Sequence, residues 1–148
     1  MNTAKRTLLT ALIAAAAIAG FAQEQVTFKG TVIAMGTAPG PVNVCLTVDG
    51  LPQDLRIRAN GNFLFTAQEG QQVRMISSCE GFVTKEVVID VAHLSDGTAK
   101  NRSVKFDVQL SRKRVAAEQC QPEAAGNIAF GTGTGRVLVN YDNRLAQR

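Results

Sequence analysis

Few side chains in this sequence have the type and spacing that chemistry requires, and each set lacks a specific partner. The thiols are Cys45, Cys79 and Cys120. None forms the Cys-x-x-Cys pair of a thioredoxin-type redox site. A zinc site would need widely scattered ligands, because His93 is the single histidine. Asp90 and Asp96 lie three residues to either side of His93, which permits a hydrogen bond but specifies none. A nucleophile needs a base and an orienter; no Gly-x-Ser-x-Gly motif is present, and nothing assigns His93 to Ser77, Ser78 or Ser103. Asp49, Asp54 and Asp90 sit near turns, not as the facing carboxylates of a glycosidase. Asp96-Gly97 lacks the Asp-x-Asp-x-Asp-Gly spacing of a calcium loop. The run Gly131-Thr132-Gly133-Thr134-Gly135 has the glycine density of a phosphate cradle. Such a cradle opens a helix, and here Arg136-Val137-Leu138-Val139 follows, which reads as a strand. The sequence therefore predicts no catalytic residue, no cofactor and no metal, and a protein that is not an enzyme.

The most basic region is Arg112-Lys113-Arg114, with Lys100, Arg102 and Lys105 upstream. A basic patch there would meet an anionic polymer such as lipopolysaccharide or an acidic glycan. The plainer reading is a solvated loop, since no interleaved aromatic platform accompanies it. Arg56 and Arg58 share a parity and would extend such a patch.

The amino terminus has the three parts of a secretory signal. Lys5 and Arg6 precede an apolar run from Leu8 to Ala19, and Gly20-Phe21-Ala22 places small residues before an expected cut that leaves Gln23 first. The run is shorter than the roughly 20 apolar residues of a spanning helix. Residues 1–22 are thus expected to be a cleaved signal peptide, and the chain to be secreted or periplasmic. Taking 22 from the 148 residues leaves 126, enough for one domain with a real core. Two of the 16 basic residues lie in the signal, so the mature chain carries 14 against 12 acidic ones. That excess of two is too small to argue for nucleic acid or an anionic membrane as partner, and no nucleic acid is expected. The mature chain shows no transmembrane segment.

Beyond Gln25 the hydrophobic period is two, the signature of strands with one buried face. Val26, Phe28 and Val32 alternate with polar residues, as do Val42, Val44, Leu46 and Val48. Leu55 and Ile57 alternate with Arg56 and Arg58, Phe63 and Phe65 flank Leu64, and Val73 and Met75 flank Arg74. Val104, Phe106, Val108 and Leu110 read as one continuous strand. Turn chemistry separates these runs at Pro39-Gly40, Asp49-Gly50, Asn60-Gly61, Glu69-Gly70 and Glu80-Gly81. His93–Arg102 and Ser111–Gly126 read as polar loops. A terminal hairpin follows, with Ile128 and Phe130 on one arm and Val137, Val139 and Tyr141 on the other, before a tail at Asn143–Arg148. About seven to nine short strands at this spacing predict an antiparallel β-sandwich.

The stretch from Phe28 to about Val91 resembles the carboxypeptidase regulatory-like domain of the transthyretin-like (prealbumin-like) sandwich group. The residues that carry the likeness are Phe28-x-Gly30-x-Val32, Pro39-Gly40-Pro41-Val42-Asn43-Val44-Cys45-Leu46, and Asn60-Gly61-Asn62-Phe63-Leu64-Phe65, followed by Gly70, Val73, Met75 and Glu80-Gly81-Phe82. Ser77, at a strand position usually apolar, and the length beyond Leu110 depart from the pattern. The resemblance implies residues 23–110 as the β-sandwich, with 111–148 adding a loop, hairpin and tail to the same domain. It also implies a non-catalytic binding or structural accessory module of the cell envelope, whose partner is an unidentified protein or a cell-envelope glycan. The alternative is a small-ligand carrier or transport accessory, with Ser77 as an inward polar group in its pocket; a small hydrolase ranks last.

In an oxidising compartment two of the three cysteines are free to pair. Cys45 lies between Val44 and Leu46 and faces away from the core they enter, whereas Cys79 continues the inward parity of Val73 and Met75. Opposite faces cannot be bridged without distorting the backbone. The expected bridge therefore involves Cys120, with Cys79 as its partner and Cys45 as the alternative, ahead of Cys45–Cys79.

Overall fold

In the computed structural model of the chain, the residues described are 23–37, 40–96, 102–114 and 121–141. The expected signal peptide (1–22), the C-terminal tail and Cys120 lie outside them. Alternating apolar residues form strands β1 (Gln25–Ala34), β2 (Asn43–Val48), β3 (Leu51–Gln53), β4 (Asn62–Gln68), β5 (Gln72–Ser78) and β6 (Lys85–Asp90). A 3-10 turn at Leu94–Asp96 leads on to β7 (Arg102–Lys105), β8 (Val108–Leu110), β9 (Glu123–Phe130) and β10 (Val137–Tyr141). No helix among the described residues is long and apolar enough to cross a membrane.

The strands make two sheets. The smaller has β1 at its centre, with β4 on one side and β7 and β8 end to end on the other. The larger runs β10-β9-β6-β5-β2-β3. Inward residues of both sheets build one core, including Phe28, Phe63, Phe65 and Val108 from the smaller and Leu46, Met75, Ile89 and Ile128 from the larger. Alternation decides the burial face: Phe63, Phe65 and Ala67 of β4 are buried, while Leu64 between them is 63% exposed.

Three expectations need correction. The sheets are mixed rather than antiparallel, because β1 runs parallel to β7 and β8, and β6 parallel to β9. Parallel neighbours need a crossover connection. Between β6 and β9 that crossover is made by β7 and β8, which belong to the other sheet. Ten strands are described, one more than the upper expectation, and the segment Leu55–Arg58 is not one of them. Asn60-Gly61 still turns the chain, with the Gly61 N–H donating to the Arg58 carbonyl at 2.8 Å. Gly61 has φ +82°, and a Cβ there would lie 2.3 Å from the Val32 carbonyl oxygen, so the position requires glycine.

The third correction concerns the run Val104–Leu110, which is broken in two. Asp107 interrupts it: its Oδ1 accepts the Thr31 N–H at 2.9 Å, in place of a ladder carbonyl. At the break the Phe106 backbone presses on β1, and a Cβ on Gly30 would stand 1.6 Å from the Phe106 carbonyl oxygen. Val104, Phe106, Val108 and Leu110 all remain buried across the break, so the hydrophobic period survives while the strand pairing is interrupted between Lys105 and Val108.

Candidate binding groove at the open sheet edge

Beyond the β7–β8 edge the smaller sheet ends; β9 still packs Ile128 and Phe130 into the core, whereas every residue of β10 is exposed. A groove of about 700 Å³ opens there. One wall is the β7–β8 junction, Lys105 to Gln109; the other is formed by Ala124, Ala125, Gly126 and Ile128 of β9 with Val139 and Tyr141 of β10. Small side chains and a shift in strand pairing both make room for it. The small side chains of Ala124-Ala125-Gly126 occupy little of the space between the sheets. Pairing between β6 and β9 also shifts register here, so that Glu86 faces Ala124 and Val87 faces Gly126, with Ala125 left over as a bulge. Gly126 cannot be enlarged, because a Cβ would lie 2.5 Å from the Asn140 carbonyl oxygen.

The groove holds a buried cation. Lys85, at the head of β6, keeps only 8% of its side chain exposed, and its Nζ donates to Oε2 of Glu123 at 2.5 Å. This pair compensates a charge that burial would otherwise make costly. Lys105 and Asp107 add one charge of each sign on the opposite wall. The groove thus has a mixed polar and apolar lining, with charged groups of both signs on its walls. Every residue of β10 is exposed, Val137 and Val139 at 40% and Tyr141 at 55%.

The residues singled out from sequence are scattered rather than gathered. Arg112, Lys113 and Arg114 are exposed on the segment after β8. There Arg112 forms an isolated bridge with Phe82 and donates to the Thr37 carbonyl, and the Lys113 N–H donates to Gly81. Arg102 is used elsewhere: its guanidinium bonds the Gly135 carbonyl and lies 6.0 Å from the centroid of the Phe130 ring. Cys45 is exposed and Cys79 buried, the faces that the parity of their strands assigns, and both carry free thiols. Cys120 and Lys100 lie outside the described residues. Ser77 is fully buried, but it belongs to the core between the sheets and does not line the groove; its hydroxyl has no hydrogen-bond partner among the described residues.

The glycine run and the histidine prove to serve one another's geometry. Gly131–Gly135 is a hairpin loop whose amides are engaged: Gly131 N–H donates to Arg136, and Gly135 N–H to Gly131 at 2.7 Å. The Asp96 carboxylate accepts the Gly133 N–H at 2.6 Å and meets Nδ1 of His93 at 3.1 Å. Nearby, Glu69 accepts both the hydroxyl and the N–H of Ser95. The hydroxyl bond, followed by the backbone bond, holds the Glu69 carboxyl below the usual carboxylate range. Together these contacts fasten the turn after β6 to β4–β5 and to the β9–β10 loop. Among the described residues no group of His, Cys, Asp and Glu converges as a metal site requires.

The groove residues Met35, Lys85, Phe106, Gln109 and Ala125 carried no signal in the sequence beyond their place in alternating runs. The bulge at Ala125 and the end of the smaller sheet create the site, and both are tertiary features. Neither a protein-family model nor a curated protein matches this chain.

Proposed function

We propose that this chain is an exported β-sandwich of the transthyretin-like, carboxypeptidase regulatory-like kind that serves as a non-catalytic binding or structural accessory module of the cell envelope. The observation that carries the reading is the groove beside β10, a trough of mixed polar and apolar lining open along a strand edge. An open trough of this kind suits an elongated partner, either a protein segment or a cell-envelope glycan chain. His93, Asp96 and the glycine run support the non-catalytic part, since each is engaged in fastening loops. The basic residues Arg112, Lys113 and Arg114 keep a solvated role beside it. The second reading, a small-ligand carrier, draws on the groove's volume, which falls within the roughly 300–1,000 Å³ of small-molecule sites.

Tyr141 is the single tyrosine and the chain has no tryptophan, so its emission reports directly on the groove. The mature chain, first checked by intact mass to begin at Gln23, is titrated with peptidoglycan fragments, lipopolysaccharide and peptides from envelope proteins. A saturable change in Tyr141 emission with a polymer or peptide, lost in Gln109→Trp through steric filling of the groove and read in that variant by calorimetry, is the expected result. Unchanged emission with every one of these probes, together with a chain that keeps Met1 in the exported fraction, overturns the reading.

A further inference from the structure

We propose that two copies of this chain associate through β10, pairing antiparallel about a two-fold axis at Val139 so that the larger sheet continues from one copy into the other. The pairing uses the outward backbone of β10, whose Val139 and Tyr141 also line the groove.

The two edges of the larger sheet, β3 and β10, differ in kind. At one edge β3 is three residues long and carries Pro52 at its centre, which blunts an edge against further pairing. At the other, β10 has the sequence Val-Leu-Val-Asn-Tyr, with no charge and no proline, and all of it is exposed. Natural sheets seldom leave such a strand bare.

The backbone of β10 is set to pair. The Gly131 N–H donates to the Arg136 carbonyl, which makes residue 136 one that bonds toward β9. Hydrogen-bonded and non-bonded positions alternate in an antiparallel ladder. Leu138 and Asn140 therefore bond to Ala129 and Asn127 of β9, while the N–H and C=O groups of Val137, Val139 and Tyr141 point away from the sheet.

Those outward groups match a second copy of themselves. With Val139 opposite Val139, Val137 falls opposite Tyr141 and Leu138 opposite Asn140. Every outward N–H then meets an outward C=O of the other copy. The Val–Tyr pairs are of the β-branched–aromatic kind that stabilises neighbouring strands. The matched outward N–H and C=O groups and the two Val–Tyr pairs are what select a second copy over an unrelated peptide.

Sedimentation of the mature chain over a range of concentrations, with amide hydrogen exchange on the same samples, tests the proposal. The expected result is a monomer–dimer equilibrium in which the amides of Val137, Val139 and Tyr141 gain protection as the dimer forms. Leu138 and Asn140 remain protected throughout. Val139→Lys, which opposes two ammonium groups at the axis, is expected to give a monomer with an unchanged far-ultraviolet spectrum, whereas Leu64→Lys leaves the dimer intact. A wild-type chain that is monomeric at every concentration overturns the proposal. So does a dimer in which those three amides exchange freely, or one that persists in folded Val139→Lys.

Discussion

Phe28 of β1 and Phe65 of β4 stand directly opposite one another, and their rings stack with centroids 5.1 Å apart. Phe63, two residues before Phe65, lies 5.1 Å from Phe106, whose residue lines the groove wall. Phe106 in turn meets Phe28 edge-on at 6.4 Å. The aromatic cluster therefore joins the β1–β4 pair to the junction of β7 and β8, and the groove is only as rigid as this core.

Truncating that cluster is expected to be costly. Phe63→Ala removes a buried ring and should lower stability by about 3–5 kcal/mol, read from the urea midpoint and slope. Leu64→Ala, on the exposed face of the same strand, should change it by no more than about 0.5 kcal/mol. Equal effects at the two positions would mean that the burial faces of β4 are reversed.

The Lys85–Glu123 pair gives an asymmetric prediction. Glu123→Ala leaves a buried ammonium without its partner and should cost about 3 kcal/mol. Lys85→Met replaces the cation with an apolar chain of similar length and should be close to neutral. Chemical denaturation of both variants checks this, and a larger loss for Lys85→Met than for Glu123→Ala would contradict it.

Glu69 supplies the pH dependence. Its folded-state carboxyl is held low by the Ser95 hydroxyl and N–H, so its contribution to stability is present above the unfolded value and is lost as pH falls through the lower folded value. In Ser95→Ala the Glu69 carboxyl should titrate closer to its ordinary range, as followed by its carbon chemical shift in NMR. The stability gap between wild type and variant should be present at neutral pH and close in acid.

Much of this architecture is legible in the sequence, because a period of two is a local property. Val26 and Phe28, Phe63 and Phe65, Val73 and Met75, and Ile128 and Phe130 all enter the core from the parity their spacing assigns. The Asn60-Gly61 turn is equally local. Strand direction is not: nothing near Val87 or Ile128 encodes that β6 and β9 run side by side in the same sense. The break at Asp107 is likewise invisible, since the apolar alternation from Val104 to Leu110 continues through it. Leu55 and Ile57 show the converse, a short alternation without a neighbouring strand to pair with. The groove depends on all of these long-range features, which is why its residues did not stand out.

The cysteines offer a direct reading of face. In native protein Cys45, exposed on β2, should react rapidly with a thiol reagent, whereas Cys79, buried with its Sγ 3.6 Å from the Gly40 carbonyl oxygen, should react only on unfolding. Peptide mapping of the labelled chain assigns each rate and shows the state of Cys120. Rapid labelling of Cys79 in the folded chain would contradict its placement.

The most direct measurement of the binding role is photo-crosslinking in the intact exporting cell. A photoreactive side chain placed at Gln109, exposed on the groove wall, is compared with one placed at Leu64 on the outer face of the smaller sheet. The account predicts adducts from position 109 to an envelope protein or glycan other than this chain, and none from position 64. Adducts from position 64 alone, or none from position 109, would contradict the groove as the binding surface.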